Sequence, residues 1–245
     1  MKRPISSQLE ELSRRITASI RLPEIDWGRL QDIWKRGLPD NWIDLGREQS
    51  VTELLDFMKE TGWCLVWAPR AQIIKILLEE SNERDRVVKF LEARNEIVAD
   101  LKDVLRGIDS PSLDSNVEAC SKALDALAAG HPEAAQALAA ADMSSLINGD
   151  PFSMSFKVAR DEFEAEDPMT VPWRSFRLFV VLGMVAHSLQ PFYIQQGDPV
   201  PGQFSRHASA HTVDPLQYRE ENSLAGLLLL VAFLWEIDLL LKAKE

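Results

Sequence analysis

The chain is poor in the groups that redox, disulfide and nucleotide chemistry require. Its 245 residues hold two cysteines, Cys64 and Cys120, far apart and without a CxxC pairing. That usage reads as two buried, reduced thiols in a cytoplasmic protein, with no disulfide expected. The 11 glycines fall in contexts such as GRE, GWC, GID and GDP. None extends into GxxxxGK[ST] or GxGxxG, so hydrolysis of a bound nucleotide is disfavoured. A GxSxG elbow is absent as well. Excess positive charge is also missing: the net charge is −11, which argues against a broad duplex-DNA surface. The N-terminus, MKRPISSQLEELSRRI, turns amphipathic at once and has no apolar core of the kind a signal peptide needs. One stretch approaches membrane length, Ser223–Leu241, yet it carries Glu236 and Asp238, and a bilayer centre tolerates charge poorly. A buried core or dimer helix in a soluble protein is expected instead, with no membrane partner.

What is present has the helical period nearly throughout. Ser6–Ile20 places Leu9, Leu12, Ile16 and Ile20 on one face, and a Pro-, Gly- and Trp-rich stretch with Trp27, Trp34 and GLPDNW (Gly37–Trp42) follows as a short helix and packed loop. Ser50 with Glu53 forms a capping box opening SVTELLDFMKE. WCLVWAP (Trp63–Pro69) is the one strand-like run. It has no second strand to pair with and reads as a buried extended connector, with Pro69 suited to the first turn of a helix over Arg70–Glu79. Asn82–Arg106 reads as one long charged helix, and GIDSPSLDS (Gly107–Ser115) as a break. Val117–Ala129 and His131–Asn148 read as Ala-rich helices joined at Gly130, with His131 a corner residue. Helical patterns over Phe152–Asp167 and the strongly apolar Trp173–Ile194 come next, then a loop at Gln195–Gln203 and a final helix from about Leu216. The chain is therefore expected to be all-α, with an N-terminal helical region over 1–110 and a C-terminal helical bundle over 111–245. The seven tryptophans, weighted toward the N-terminal half, read as packing residues rather than base-stacking platforms.

Charge is unevenly spread. Met169–Val213 holds Arg174, Arg177 and Arg206 together with His187, His207 and His211, against Asp198 as its one acid. An anion can approach such an island. Within it lies SRHASAH, Ser205–His211. On a helix His207 and His211 are one turn apart on one face, with Arg206 to the side. Histidine moves protons near neutral pH, and arginine clamps and neutralises phosphate. Together they suit cleavage of RNA through its own 2′-hydroxyl, without a metal or other cofactor: histidine as base or acid, arginine stabilising the charged phosphorane. Tyr218 and Asn222, an i, i+4 polar pair, are expected to support the heptad by hydrogen bonds or else to face solvent. Two other readings of the heptad stay open. In one, Ser205 caps a helical turn, Arg206 pairs with Glu220 or Glu221, and the histidines are satisfied structural groups. In the other, His207 and His211 bind a metal at i, i+4 spacing, which would need His187 or Asp214 to converge as a further ligand.

The sequence Arg206-His207-Ala208-Ser209-Ala210-His211 resembles the R-x4-6-H motif of the HEPN superfamily. A proline-containing turn and a long apolar helix beginning YREENSLAGLLLL (Tyr218–Leu230) follow it. The chain is also similar, over most of its length, to bacterial proteins sharing an LPxNW-like element (Leu38–Trp42), a GHxxAAQALAA-like helix (Gly130–Ala140) and the RHxxxH end. It departs from the usual HEPN pattern at His207, where Asn or Asp is commoner, and at Thr212, where relatives often have glycine. The resemblance implies a helical-bundle, metal-independent endoribonuclease, a toxin or anti-phage defence effector. Arg206, His207 and His211 would be its catalytic residues. It further implies a homodimer with facing motifs, single-stranded RNA as substrate, and an antitoxin or regulatory protein as partner. The competing expectation is a non-catalytic helical interaction module, to which the acidic surface is suited.

Overall fold

A computed structural model describes residues 37–45, 50–149, 151–164 and 175–243. The expected N-terminal helix Ser6–Ile20, with Trp27 and Trp34, lies outside the described residues, as does the start of the segment expected from Trp173. The described chain is all-α, without a strand among these residues. Its helices are α1 (Asp40–Ile43), α2 (Val51–Thr61), α3 (Ala71–Glu79), α4 (Glu83–Glu92), α5 (Arg94–Arg106), α6 (Asp114–Ala128), α7 (Pro132–Asn148), α8 (Phe156–Phe163), α9 (Phe176–Ser188), α10 (Arg206–His211) and α11 (Glu220–Lys242), with 3₁₀ turns at Pro111–Leu113 and Ile194–Gln196.

Local chemistry sets most of these boundaries. Ser50 accepts from the amides of Thr52 and Glu53, while the Glu53 carboxylate accepts from the Ser50 amide, completing the capping box of α2. Gly62 ends that helix at φ +74°, a conformation glycine adopts without steric cost. Asn82, Ser155 and Ser205 cap α4, α8 and α10 through their side chains. Gly130 (φ +84°) turns α6 into α7. The His131 amide reaches back to the Ala126 carbonyl there, the pattern of a glycine-ended helix.

Several boundaries differ from the sequence-based expectation. Among the described residues, the pattern over Phe152–Asp167 is helical only from Phe156 to Phe163, and the helix within Trp173–Ile194 ends at Ser188. The helix expected over Asn82–Arg106 is divided at Ala93, whose ψ of −1° tightens the turn before α5 begins. Pro69 precedes Arg70, the N-cap of α3, rather than entering the first turn. The last helix begins at Glu220 rather than near Leu216. The Asp214 side chain accepts from the Leu216 amide, and Gln217 and Tyr218 amides return to the Asp214 carbonyl, holding that stretch as a separate turn.

The helix α11 is the axis of the fold, packed by α4, α5, α6, α7 and α9. It is the one helix among the described residues long and apolar enough to cross a membrane, and 78% of that apolar window is buried inside the chain. Leu224, Leu227, Leu230, Val231, Phe233 and Leu234 are all fully enclosed. Most of its apolar faces are thus taken up within one chain, while Leu239, Leu240 and Leu241 near its end stay half-buried. Its acids are anchored: Glu236 accepts from Trp67 Nε1 at 2.8 Å, and Asp238 accepts from the Ser110 amide at 3.0 Å and forms an ion pair with Lys242 Nζ at 2.7 Å. One apolar cluster runs from Trp42 to Ile237, so the regions 1–110 and 111–245 share a core among the described residues. Trp63–Pro69 is a buried connector as expected, but it is not extended throughout: it bends at Val66–Trp67, where Trp67 takes φ +70°, and Ala68–Pro69 is cis. Its Leu65 carbonyl accepts from Trp42 Nε1 at 2.7 Å and Asn41 Nδ2 at 3.0 Å. Both cysteines are free and buried, and burial pushes the Cys64 thiol up to about 12.

Candidate functional site

The RHASAH segment is α10, a six-residue helix resting on α7. Ser205 caps it, its hydroxyl accepting from the Ala208 amide at 3.2 Å. The preceding Phe204 ring lies so close to Gly226 of α11 that a Cβ there would meet it at 2.8 Å. The missing side chain at Gly226 lets the loop sit directly on the central helix.

A buried amide network fixes the segment from below. Gln217 and Gln136 are both fully enclosed. The Gln217 side-chain oxygen accepts from the Ser205 amide (2.9 Å), Ser209 Oγ (3.2 Å) and Gln136 Nε2 (3.1 Å). Its nitrogen donates to the carbonyls of Pro201 and Gln203, each at 3.0 Å. Gln136 Nε2 also donates to Ser209 Oγ at 2.8 Å, and its oxygen accepts from Ser223 Oγ at 3.2 Å. Asn222 Nδ2 donates to the carbonyls of Gly202 (3.1 Å) and Gln217 (2.9 Å), and the Tyr218 hydroxyl donates to the Ser209 carbonyl. Tyr218 and Asn222 thus bond the backbone around the motif rather than facing solvent. Burial raises the Tyr218 phenol, keeping it a neutral donor.

Arg206 does not pair with Glu220 or Glu221. Glu220 is taken by Arg94 of α5, and Glu221 by Arg219 at 3.0 Å. The guanidinium carbon of Arg206 instead lies 3.9 Å above the centroid of the Phe156 ring on α8, and its Nε donates to Ser144 Oγ on α7 at 2.6 Å. Ser144 in turn donates to the Ala140 carbonyl at 2.7 Å, so its lone pair is aimed at the arginine. The two terminal nitrogens of Arg206 make no hydrogen bond or ion pair among the described residues. Half-buried and without an acid, the side chain has its affinity for protons lowered by desolvation. A cation held this way favours an anionic partner.

His207 stands between Arg206 and His211. Its ring meets Phe156 edge-on at 5.9 Å between centroids and lies 5.9 Å from the His211 ring, inclined by 41°. Burial first, then the charges of Arg206, His211 and Arg160, hold the His207 imidazole below its usual range. It is therefore neutral, and able to accept a proton, at pH 7. His211 is exposed beside it. No three His, Cys, Asp or Glu side chains converge among the described residues. His187 is bonded through Nε2 to Gln203 Oε1 at 2.7 Å, and Asp214 is held in its own turn, so neither joins the His207–His211 pair.

The structure thus gathers Arg206, His207 and His211 on one short helix, backed by Tyr218 and Asn222. It adds Ser144, Phe156, Arg160, Gln136 and Gln217, which sequence reasoning missed. A glutamine inside the apolar run AAQALAA was a readable signal for Gln136; Phe156 carried none. No protein-family model, no curated protein and no solved structure matches the chain.

Proposed function

We propose that the chain is a metal-independent endoribonuclease of the HEPN kind, a toxin or anti-phage defence effector acting on single-stranded RNA. The observation carrying this reading is Arg206: half-buried, clamped by Phe156 and Ser144, without an acid partner among the described residues, and followed directly by a neutral histidine. A phosphodiester supplies the missing anion. In the proposed reaction His207 takes the proton of the 2′-hydroxyl, and that oxygen forms a bond to phosphorus. The bond from phosphorus to the 5′-oxygen breaks, and protonated His211 delivers its proton to the leaving oxygen. Arg206 neutralises the phosphorane between these steps. The products are a 2′,3′-cyclic phosphate and a 5′-hydroxyl. Single strands suit this chemistry because their backbone is free to bring the 2′-hydroxyl in line. The exposed side of the motif, with Ala210, His211 and Val213, is the face a second copy would complete in a homodimer.

A second reading is favoured by the same edge: Val213 is 89% and Leu216 44% exposed, and apolar exposure beside a motif suits a protein-interaction module. Cleavage assays in EDTA separate the two. Loss of one acid–base histidine is expected to slow cleavage by about 10²–10⁴-fold, and Arg206→Ala, His207→Ala and His211→Ala should each do so while folding normally. Absence of cleavage by wild-type protein alone and with its cellular partners favours the module.

A further inference from the structure

Arg206 is held on two sides by groups that carry no charge. Its Nε donates to Ser144 Oγ of α7 at 2.6 Å, and the Phe156 ring of α8 covers one face of the guanidinium, its centroid 3.9 Å from the central carbon. Both supports are themselves fixed. The Ser144 hydroxyl gives its proton to the Ala140 carbonyl at 2.7 Å, and His207 packs edge-on against the same Phe156 ring. An acid would hold the arginine as firmly, but it would also neutralise the charge. A hydroxyl oxygen and an aromatic face set its direction and leave the charge for a ligand. The guanidinium carries five donors in a rigid planar fork. With Nε engaged by Ser144, the edge shared by Nε and its neighbouring terminal nitrogen is closed to a two-point contact. The end of the fork, Nη1 with Nη2, makes no hydrogen bond or ion pair among the described residues. Two-point contact with an anion is therefore directed to that end.

We propose that Ser144 and Phe156 are positioning residues that aim the Nη1–Nη2 end of Arg206 at one phosphodiester, so that both non-bridging oxygens are bound together. For the step it serves, the inference rests on the ribonuclease reading. Two parallel N–H···O⁻ bonds fix a phosphate in orientation as well as in place. The non-bridging oxygens are also where charge gathers in the phosphorane, so a fork aimed at them acts most strongly in the transition state. The 2′- and 5′-oxygens, whose protons move, are left to His207 and His211. Neither Ser144 nor Phe156 touches the RNA in this scheme; both act through Arg206.

The first test reads the arginine itself. In full-length protein labelled with ¹⁵N-arginine, the Arg206 Nε–H signal is identified by its loss in Arg206→Lys. It is expected to be protected from exchange before any ligand is added, and Ser144→Ala should abolish that protection. Alanine is the better helix former, so this variant keeps α7. A single-stranded oligonucleotide with 2′-deoxy sugars offers phosphodiesters without a 2′-hydroxyl. Adding it should slow the exchange of the Arg206 Nη protons and leave Nε bonded as before. Cleavage gives the second readout. Ser144→Ala and Phe156→Leu should lower kcat by about tenfold or more, toward the ~10²-fold cost of a 1 Å misplacement, with little change in KM. Ser144→Thr keeps the acceptor and should recover most of the loss. Sulfur in place of either non-bridging oxygen should slow the wild type, whereas a single contact is sensitive at one of them. A purely structural role for Ser144 would leave that pattern unchanged in Ser144→Ala. The proposal is overturned if Nε exchanges freely in the wild type, if the strand shifts Nε and leaves Nη unmoved, or if Ser144→Ala keeps full kcat. Protein that engages the strand through Nη but cleaves no RNA supports the positioning and counts against the ribonuclease reading.

Discussion

Replacing Gln217 with leucine probes the scaffold under the motif. The two side chains are close in size, so the change removes hydrogen bonds with little change in volume. The buried Ser205 amide loses its acceptor, and the carbonyls of Pro201 and Gln203 lose a shared donor. Gln136 keeps Ser209 Oγ and the Gln217 carbonyl as acceptors and is only partly orphaned. Each buried group left without a partner costs about 1–3 kcal/mol. The Ser209 hydroxyl loses the same acceptor as the Ser205 amide. Four such groups, with partial relief from a shifted loop, put the loss at about 3–5 kcal/mol, a large fraction of the ~5–15 kcal/mol that stabilises an ordinary domain. Urea unfolding followed by far-UV circular dichroism measures it. In parallel, amide exchange at Ala208 and Thr212 of the motif helix should accelerate more than exchange at Val231 in the core. A loss below about 1 kcal/mol, with motif amides still protected, would refute the idea that this side chain fixes the heptad.

Two further outcomes follow from buried titratable groups. Asp142 of α7 is 5% exposed; one of its oxygens accepts from Asn116 and the other has no hydrogen-bond partner, and burial pushes its carboxyl up to about 6. Because the folded value exceeds the ordinary 3.8, the folded state binds more protons between those values. The stability from this group is then complete below about pH 4 and lost as pH rises to about 6. Two pH units correspond to ~3 kcal/mol, so Asp142→Asn should flatten the pH dependence of the urea midpoint across this window; an unchanged slope contradicts the assignment. His207 carries the opposite sign. Its folded value is held below the ordinary 6.5, so its contribution is complete above that value and is lost as pH falls through the folded one. Inorganic phosphate at Arg206 should raise the His207 titration midpoint in ¹H–¹⁵N spectra, and Arg206→Ala should abolish that rise.

Much of the helical framework could be read from the sequence because its signals are local. The Ser50–Glu53 box, Gly130 between two Ala-rich helices and Ser205 before the heptad each act within a few residues, and each takes the expected position. The partner of Arg206 could not be read in this way. Glu220 and Glu221 were the acids expected to pair with it, but Arg94, 126 residues from Glu220, occupies the first, and an aromatic ring on another helix replaces both. The role of α11 was ambiguous for a different reason. A helix apolar on every side must be buried, and periodicity cannot distinguish burial in its own chain from burial in a second copy. Gln136 and Gln217 are distant in sequence, and only the packing of α7 on α10 and α11 joins them into one network.

The central claim is that RNA supplies the nucleophile at a site made by Arg206, His207 and His211. The most direct test gives purified protein, in EDTA, a single-stranded RNA and the same sequence with 2′-deoxy sugars throughout, and identifies the new ends by mass. Cleavage of the RNA alone, with 2′,3′-cyclic phosphate and 5′-hydroxyl ends that disappear in the three alanine variants, is the expected result. Cleavage of both strands, 5′-phosphate ends, or full activity in Arg206→Ala would contradict the account.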